Sequence, residues 1–88
     1  SLTVDAESLL PRAKSDETKA IAKKVYEAIR YSDPMSNEAL SSAESQITVK
    51  FNEFSNALIE DNKSLAETLG NELIILVNDR NKKCKILK

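Results

Sequence analysis

Apolar residues recur along this chain at steps of three and four, the spacing of one face of an α-helix. The stretch from Leu65 to Val77, LAETLGNELIILV, carries the strongest version of the pattern. Leu65, Leu69, Leu73 and Leu76 draw one stripe, and Ile74, Ile75 and Val77 widen it until little of the second half is left for water. A helix apolar over most of its circumference requires neighbours on more than one side. The segment is therefore read as the centre of the fold.

Its first neighbour lies just upstream. Leu40, Ala43, Ile47, Phe51, Phe54 and Leu58 form a single seam on a helix running from Ser36 to about Glu60. Ser36 offers a cap, and Met35 and Leu40 are spaced for a hydrophobic staple. The outer face of Ser41, Ser42, Ser45, Thr48, Asn52, Ser55 and Asn56 is poor in strong helix formers, so packing must hold this helix. Asp61-Asn62-Lys63 is a turn too short for anything but an antiparallel return. Ser64 with Glu67 reads as a capping box for the returning helix, with Asp61 or Asn62 as alternative caps.

The second neighbour begins at Ser15, a side-chain cap followed by Asp16 and Glu17 on the positive end of a helix. Ala20, Ile21, Val25, Ala28 and Ile29 form its apolar face, opposite Lys19, Lys23, Lys24, Glu27 and Arg30. It ends at Tyr31-Ser32-Asp33-Pro34, because a residue before proline is driven from helical angles. Before it, Thr3 can cap a turn through Val4, Ala6, Leu9 and Leu10, and Pro11 interrupts it. Either a short helix stops there, or a helix begins with Pro11, or the segment is the trailing end of a longer helix. The fold class expected is all-α: a small antiparallel bundle made of a long helical hairpin and one or two shorter N-terminal helices.

The 88 residues form one domain, 1–88, with 31% charged and 41% apolar residues. A chain of this size buries about 60–65% of the surface its unfolded form exposes, so the core is thin. A net charge of −1 gives no reason to expect nucleic acid or an acidic membrane as partner. No apolar run approaches the roughly 20 residues of a membrane span, and the N-terminus lacks the basic region of a signal peptide. One cysteine excludes an internal disulfide and makes the cytoplasm the expected compartment. The absence of an initiating methionine suggests a domain taken from a longer protein.

Candidate chemistry is sparse. Without histidine there is no imidazole triad or imidazole metal site, and a single glycine excludes a glycine-rich phosphate loop. The acidic pairs Asp16/Glu17 and Glu60/Asp61 fall at helix ends, where capping and dipole compensation account for them. Lys83 and Lys85 flank Cys84 and would lower its thiol pKa, while a helix C-terminus acts in the opposite direction. Arg80, Lys82, Lys83, Lys85 and Lys88 gather positive charge at the end of the chain, read as a solvated complement to the helix dipole. Phe51 and Phe54 belong to the core seam, and Tyr26 and Tyr31 sit toward the edge of the apolar face of the helix that begins after Ser15. No catalytic residue, cofactor site or metal site is assigned, and no enzymatic activity is expected.

The helix–turn–helix from Ser36 onward resembles the C-terminal helical lid subdomain of Hsp70-type chaperones. The resemblance rests on Ala57-Leu58-Ile59-Glu60-Asp61-Asn62-Lys63, followed by Glu67 and Glu72-Leu73. It covers about half of the chain and departs at Pro11 and at the basic ending NKKCKILK. It implies an accessory segment that covers or regulates a client site in a larger chaperone, without catalysis or nucleotide binding of its own.

The function expected is therefore a non-enzymatic helical accessory or interaction domain of a larger protein, with the chaperone lid as its specific form. The alternative is a self-associating or partner-binding hairpin module of an unrelated family, in which the seam Ile47–Phe51–Phe54–Leu58 continues across a dimer interface. The partner is a protein or a neighbouring domain of the parent chain, or a second copy in a homodimer; neither nucleic acid nor membrane is expected. An anion contact through the lysine-rich end is a third reading.

Overall fold

Four α-helices run through residues 1–35 and 37–88, the residues that this computed structural model describes. They are α1 (Leu2–Leu9), α2 (Asp16–Arg30), α3 (Ser41–Ile59) and α4 (Lys63–Leu87), and no strand occurs among the described residues. Short 3₁₀ turns at Leu10–Arg12 and Glu38–Leu40 lie between α1 and α2 and directly before α3. The all-α bundle is the class expected from the apolar spacing. At 1.5 Å per residue α4 is about 37 Å long, and the molecule measures 40 × 17 × 17 Å. One helix thus sets its length.

Side-chain caps fix the helix starts. Ser15 Oγ accepts from the Thr18 amide at 3.2 Å, and Thr18 Oγ1 accepts from the Ser15 amide at 3.0 Å. The reciprocal pair satisfies two end donors at once. Asn62, not Ser64, caps α4, accepting from the Leu65 amide. Ser1, not Thr3, caps α1, and Pro11 stands at the start of the following 3₁₀ turn, where a missing amide is tolerated. Ser36, expected to cap the third helix, lies outside the described residues. The observed cap of the turn entering α3 is Asn37, whose Oδ1 accepts from the Ala39 amide at 2.8 Å.

The α3–α4 turn is short and sharply specified. The Asn62 amide donates to the Ala57 carbonyl at 3.0 Å and the Asp61 amide to the Leu58 carbonyl at 3.0 Å. This paired arrangement closes a helix through one left-handed residue, and Asp61 takes that role with φ of 56°.

α4 packs against α2 on one side and α3 on the other, while α1 lies mainly against α2. The face it buries differs from the leucine stripe. Its buried residues are Ala66, Gly70, Leu73, Val77, Arg80 and Cys84. Leu65 is 44% exposed and Ile75 59%, whereas Leu69, Ile74 and Leu76 are half-buried. The seam runs through small residues because large ones arrive from the neighbours: Ile21 and Phe54 crowd the surface of Gly70. α2 shows a smaller correction of the same kind, since Thr18 and Ala22 are buried and Ala20 is exposed. In α3 and the turn that enters it the expected seam holds, with Leu40, Ile47, Phe51, Phe54 and Leu58 buried and Ala43 half-buried.

Candidate interaction surface

Two features stand apart from the apolar core. The first is a polar joint where α4 meets the segment linking α2 to α3. Arg80, 8% exposed, sends its guanidinium across three partners. Nη1 donates to the Asp33 carbonyl at 2.7 Å, Nη2 donates to the Met35 carbonyl, and Nε donates to Glu44 Oε2 at 3.2 Å. Asn81 Oδ1 accepts from the Asp33 amide at 3.1 Å, and Lys88 Nζ reaches Asp33 Oδ2 at 2.6 Å. The Lys88 ammonium holds the Asp33 carboxyl below its usual pKa, helped by the Met35 amide on Oδ1. Each is a donor to the charged form, which lowers a carboxyl pKa.

Beside this joint is a cleft of about 320 Å³, with Ile29, Ile47 and Val77 among its lining residues and Asp33, Glu44 and Arg80 at its polar side. The charged groups already face one another. The joint therefore positions the linking segment and presents no unpaired charge toward the cleft.

The second feature is a groove of about 610 Å³ between α3 and α4. Val49 of α3 is 61% exposed and Ile75 of α4 59%, and Leu76 completes the apolar lining. Lys50 bridges the walls, pairing with Glu53 on its own helix and with Glu72 on α4, both at 3.4 Å. The two carboxylates raise the Lys50 pKa. Two acidic groups around one ammonium leave the groove edge with a net negative charge. Sequence spacing missed this surface because it assigned Ile75 to the interior. Once the fold places the seam on Ala66, Gly70, Leu73, Val77, Arg80 and Cys84, their heptad spacing puts Ile75 on the opposite side of the helix.

The remaining candidates resolve as structural parts or solvated charge. Cys84 is fully buried, which leaves its thiol no access to a reactant. Asp16 and Glu17 occupy the first turn of α2. Glu60 and Asp61 form the turn into α4, beside that helix's positive end. Among the basic residues Arg80 is buried, in contrast to the solvated role expected from sequence, while Lys82, Lys83, Lys85 and Lys88 are exposed. Tyr31 is exposed and Tyr26 half-buried, and the Arg30 guanidinium lies 5.4 and 5.8 Å from their ring centres. Among the described residues no cluster of three or more candidate metal ligands occurs, and no helix is long and apolar enough to cross a membrane.

No protein-family model, curated protein or solved structure matches the chain.

Proposed function

We propose that this chain is a non-enzymatic helical interaction domain that docks through the α3–α4 groove. The carrying observation is the pair Val49 and Ile75, both well exposed on facing walls. A β-branched residue on each wall of one groove makes a continuous apolar site rather than scattered exposure. The groove walls are two helices packed along one another, bridged at the surface by Lys50 and Glu72, so the site is formed before a partner arrives, which reduces the ordering cost of binding. The net acidic edge favours a partner whose apolar contact is flanked by basic groups.

The narrower form of this reading is a chaperone-lid-like regulatory segment in a longer cytoplasmic protein. It is supported by the resemblance of residues 57–73 to that lid, and its client site would lie in the parent chain.

The test is site-specific photocrosslinking in the parent protein, expressed in its own cells. A crosslinking side chain at Val49 is compared with one at Glu27, an exposed position of α2. The expected result is a discrete product from position 49 that is absent from position 27 and lost on Ile75→Asp. Equal products from both positions, or none from position 49, would overturn the proposal.

A further inference from the structure

The face of α4 turned away from its buried seam carries Ile75, Asp79, Lys82 and Ile86, spaced by four, three and four. All four are exposed, Ile75 by 59% and Ile86 by 83%. These intervals align the four along one side of a helix. The order apolar, acidic, basic, apolar has a property that an arbitrary surface stripe lacks. Turned end for end, it is complementary to itself.

We propose that two copies of this chain associate through this stripe, with their α4 helices antiparallel about a two-fold axis midway between Asp79 and Lys82. Ile75 of each copy then lies opposite Ile86 of the other, and each Asp79 lies opposite the other copy's Lys82. A two-fold contact uses the same patch on both subunits, so every favourable pair occurs twice. The stripe spans about 16 Å at 1.5 Å per residue, three turns of antiparallel helix with apolar ends and a charged centre. Opposite charges at the centre set the orientation, because a parallel pairing would place Asp79 against Asp79 and Lys82 against Lys82.

The groove supplies the second argument. Ile75 is shared between the stripe and the α3–α4 groove, so Ile86 of the second copy arrives at the groove beside Val49. The groove edge bears Glu53 and Glu72 around a single ammonium. Ile86 in turn stands among Lys82, Lys83 and Lys85. An apolar side chain ringed by lysines meets an apolar groove edged by carboxylates. This inference rests on the groove being a docking surface and names its occupant.

Sedimentation equilibrium on the purified chain decides it. The wild-type chain should move from monomer toward dimer mass with rising concentration. Asp79→Lys and Lys82→Asp each replace two attractions by two repulsions and should weaken association roughly tenfold. The double reversal, Asp79→Lys with Lys82→Asp, recreates opposite pairs and should restore association to near the wild-type level. Ile86→Ser, at an exposed position that leaves folding intact, should also weaken it. A wild-type chain that stays monomeric at millimolar concentration overturns the dimer, as does a double reversal no better than the single ones. A monomer that still crosslinks from position 49 to a different protein removes the second copy and keeps the docking surface; absence of both removes both.

Discussion

Ile21 of α2 sits directly over Gly70 of α4, so close that a methyl group on the glycine would collide with Ile21 Cγ1 and lie 3.0 Å from Phe54 Cε1. The three helices meet at this point, and the missing side chain is what allows it. Gly70→Ala adds helix propensity of about 1 kcal/mol. The obstructing atom, however, belongs to a β-branched side chain with little rotamer freedom. Overpacking of this kind costs about 1–3 kcal/mol, so a net loss of about 1 kcal/mol is expected. Denaturant unfolding of the variant measures it, and a more stable Gly70→Ala would mean that Ile21 moves aside freely.

The seam of α4 makes a sharper test of register. Leu73 is fully buried and Leu65 is 44% exposed, although both belong to the leucine stripe seen in the sequence. Leu73→Ala should cost about 2–5 kcal/mol, much of the margin of so small a domain. Leu65→Ala should cost less than about 1 kcal/mol. Ser42→Ala, on the exposed face of α3, should be neutral or slightly stabilising through propensity. Equal thermal shifts for the two leucine variants would contradict the face assigned to α4.

How much of this was legible from sequence depends on what each residue had to say locally. Ser15, Pro34 and the Asp61–Lys63 turn act on their own backbone, and helix boundaries followed from them within a few residues. The α3 seam was legible because most of its buried positions, Ile47, Phe51, Phe54 and Leu58, are large apolar residues at helical spacing, although the small Ala57 is buried and Val49 exposed. α4 reads differently, since apolar residues lie all around its second half and periodicity alone could not orient it. Its true seam passes through Ala66 and Gly70, small because Ile21 and Phe54 fill the space, and then through Arg80. An arginine in a seam looks like a solvated charge until the carbonyls of Asp33 and Met35 are brought to it. Those groups are 45 or more residues away in sequence, beyond the reach of any local pattern. The groove was missed for the same reason, because exposing Ile75 follows from placing the seam.

Asp61 holds the α3–α4 turn at a backbone conformation that suits glycine better. Its φ of 56° lies in the left-handed region, which costs a side-chain-bearing residue roughly 1 kcal/mol or more. Its Oδ1 is also a buried polar atom with no hydrogen-bond partner among the described residues, a further penalty. Asp61→Gly removes both, offset in part by the greater freedom of glycine in the unfolded chain. A gain of about 1 kcal/mol in unfolding free energy is expected. A loss would show that the carboxylate's proximity to the α4 N-terminus outweighs the strain.

Arg80 links the segment before α3 to α4 through two carbonyls and one carboxylate. Arg80→Ala leaves those acceptors without their donor in a largely buried place, at a cost of about 2–3 kcal/mol. Arg80→Lys keeps the charge but not the planar fork, so it should recover less than half of the loss. Hydrogen exchange localises the effect, with faster exchange of the Leu40 amide, which donates to the Asn37 carbonyl in the turn entering α3. Full recovery by lysine would mean that charge alone matters at the joint.

Asp33 gives the chain a pH dependence that can be isolated. Hydrogen bonding from Lys88, then from the Met35 amide, holds its pKa below the ordinary 3.8. A carboxyl with a depressed folded-state pKa contributes stability that is complete above its unfolded value and is lost as pH falls through the folded value. Asp33→Asn keeps an oxygen for the Met35 amide and removes the charge facing Lys88. The variant should therefore melt at a lower temperature near neutral pH. The gap should begin to close as pH drops below about 3.8 and vanish in strong acid, where Asp33 is protonated in both states. Because the Lys88 side chain is 58% exposed, added salt should also narrow the gap at neutral pH. Thermal melts of both proteins from neutral to strongly acidic pH, at low and high salt, measure this directly. A difference that persists unchanged into strong acid would place the effect of the substitution in the hydrogen bond to Met35 and not in the charge pair.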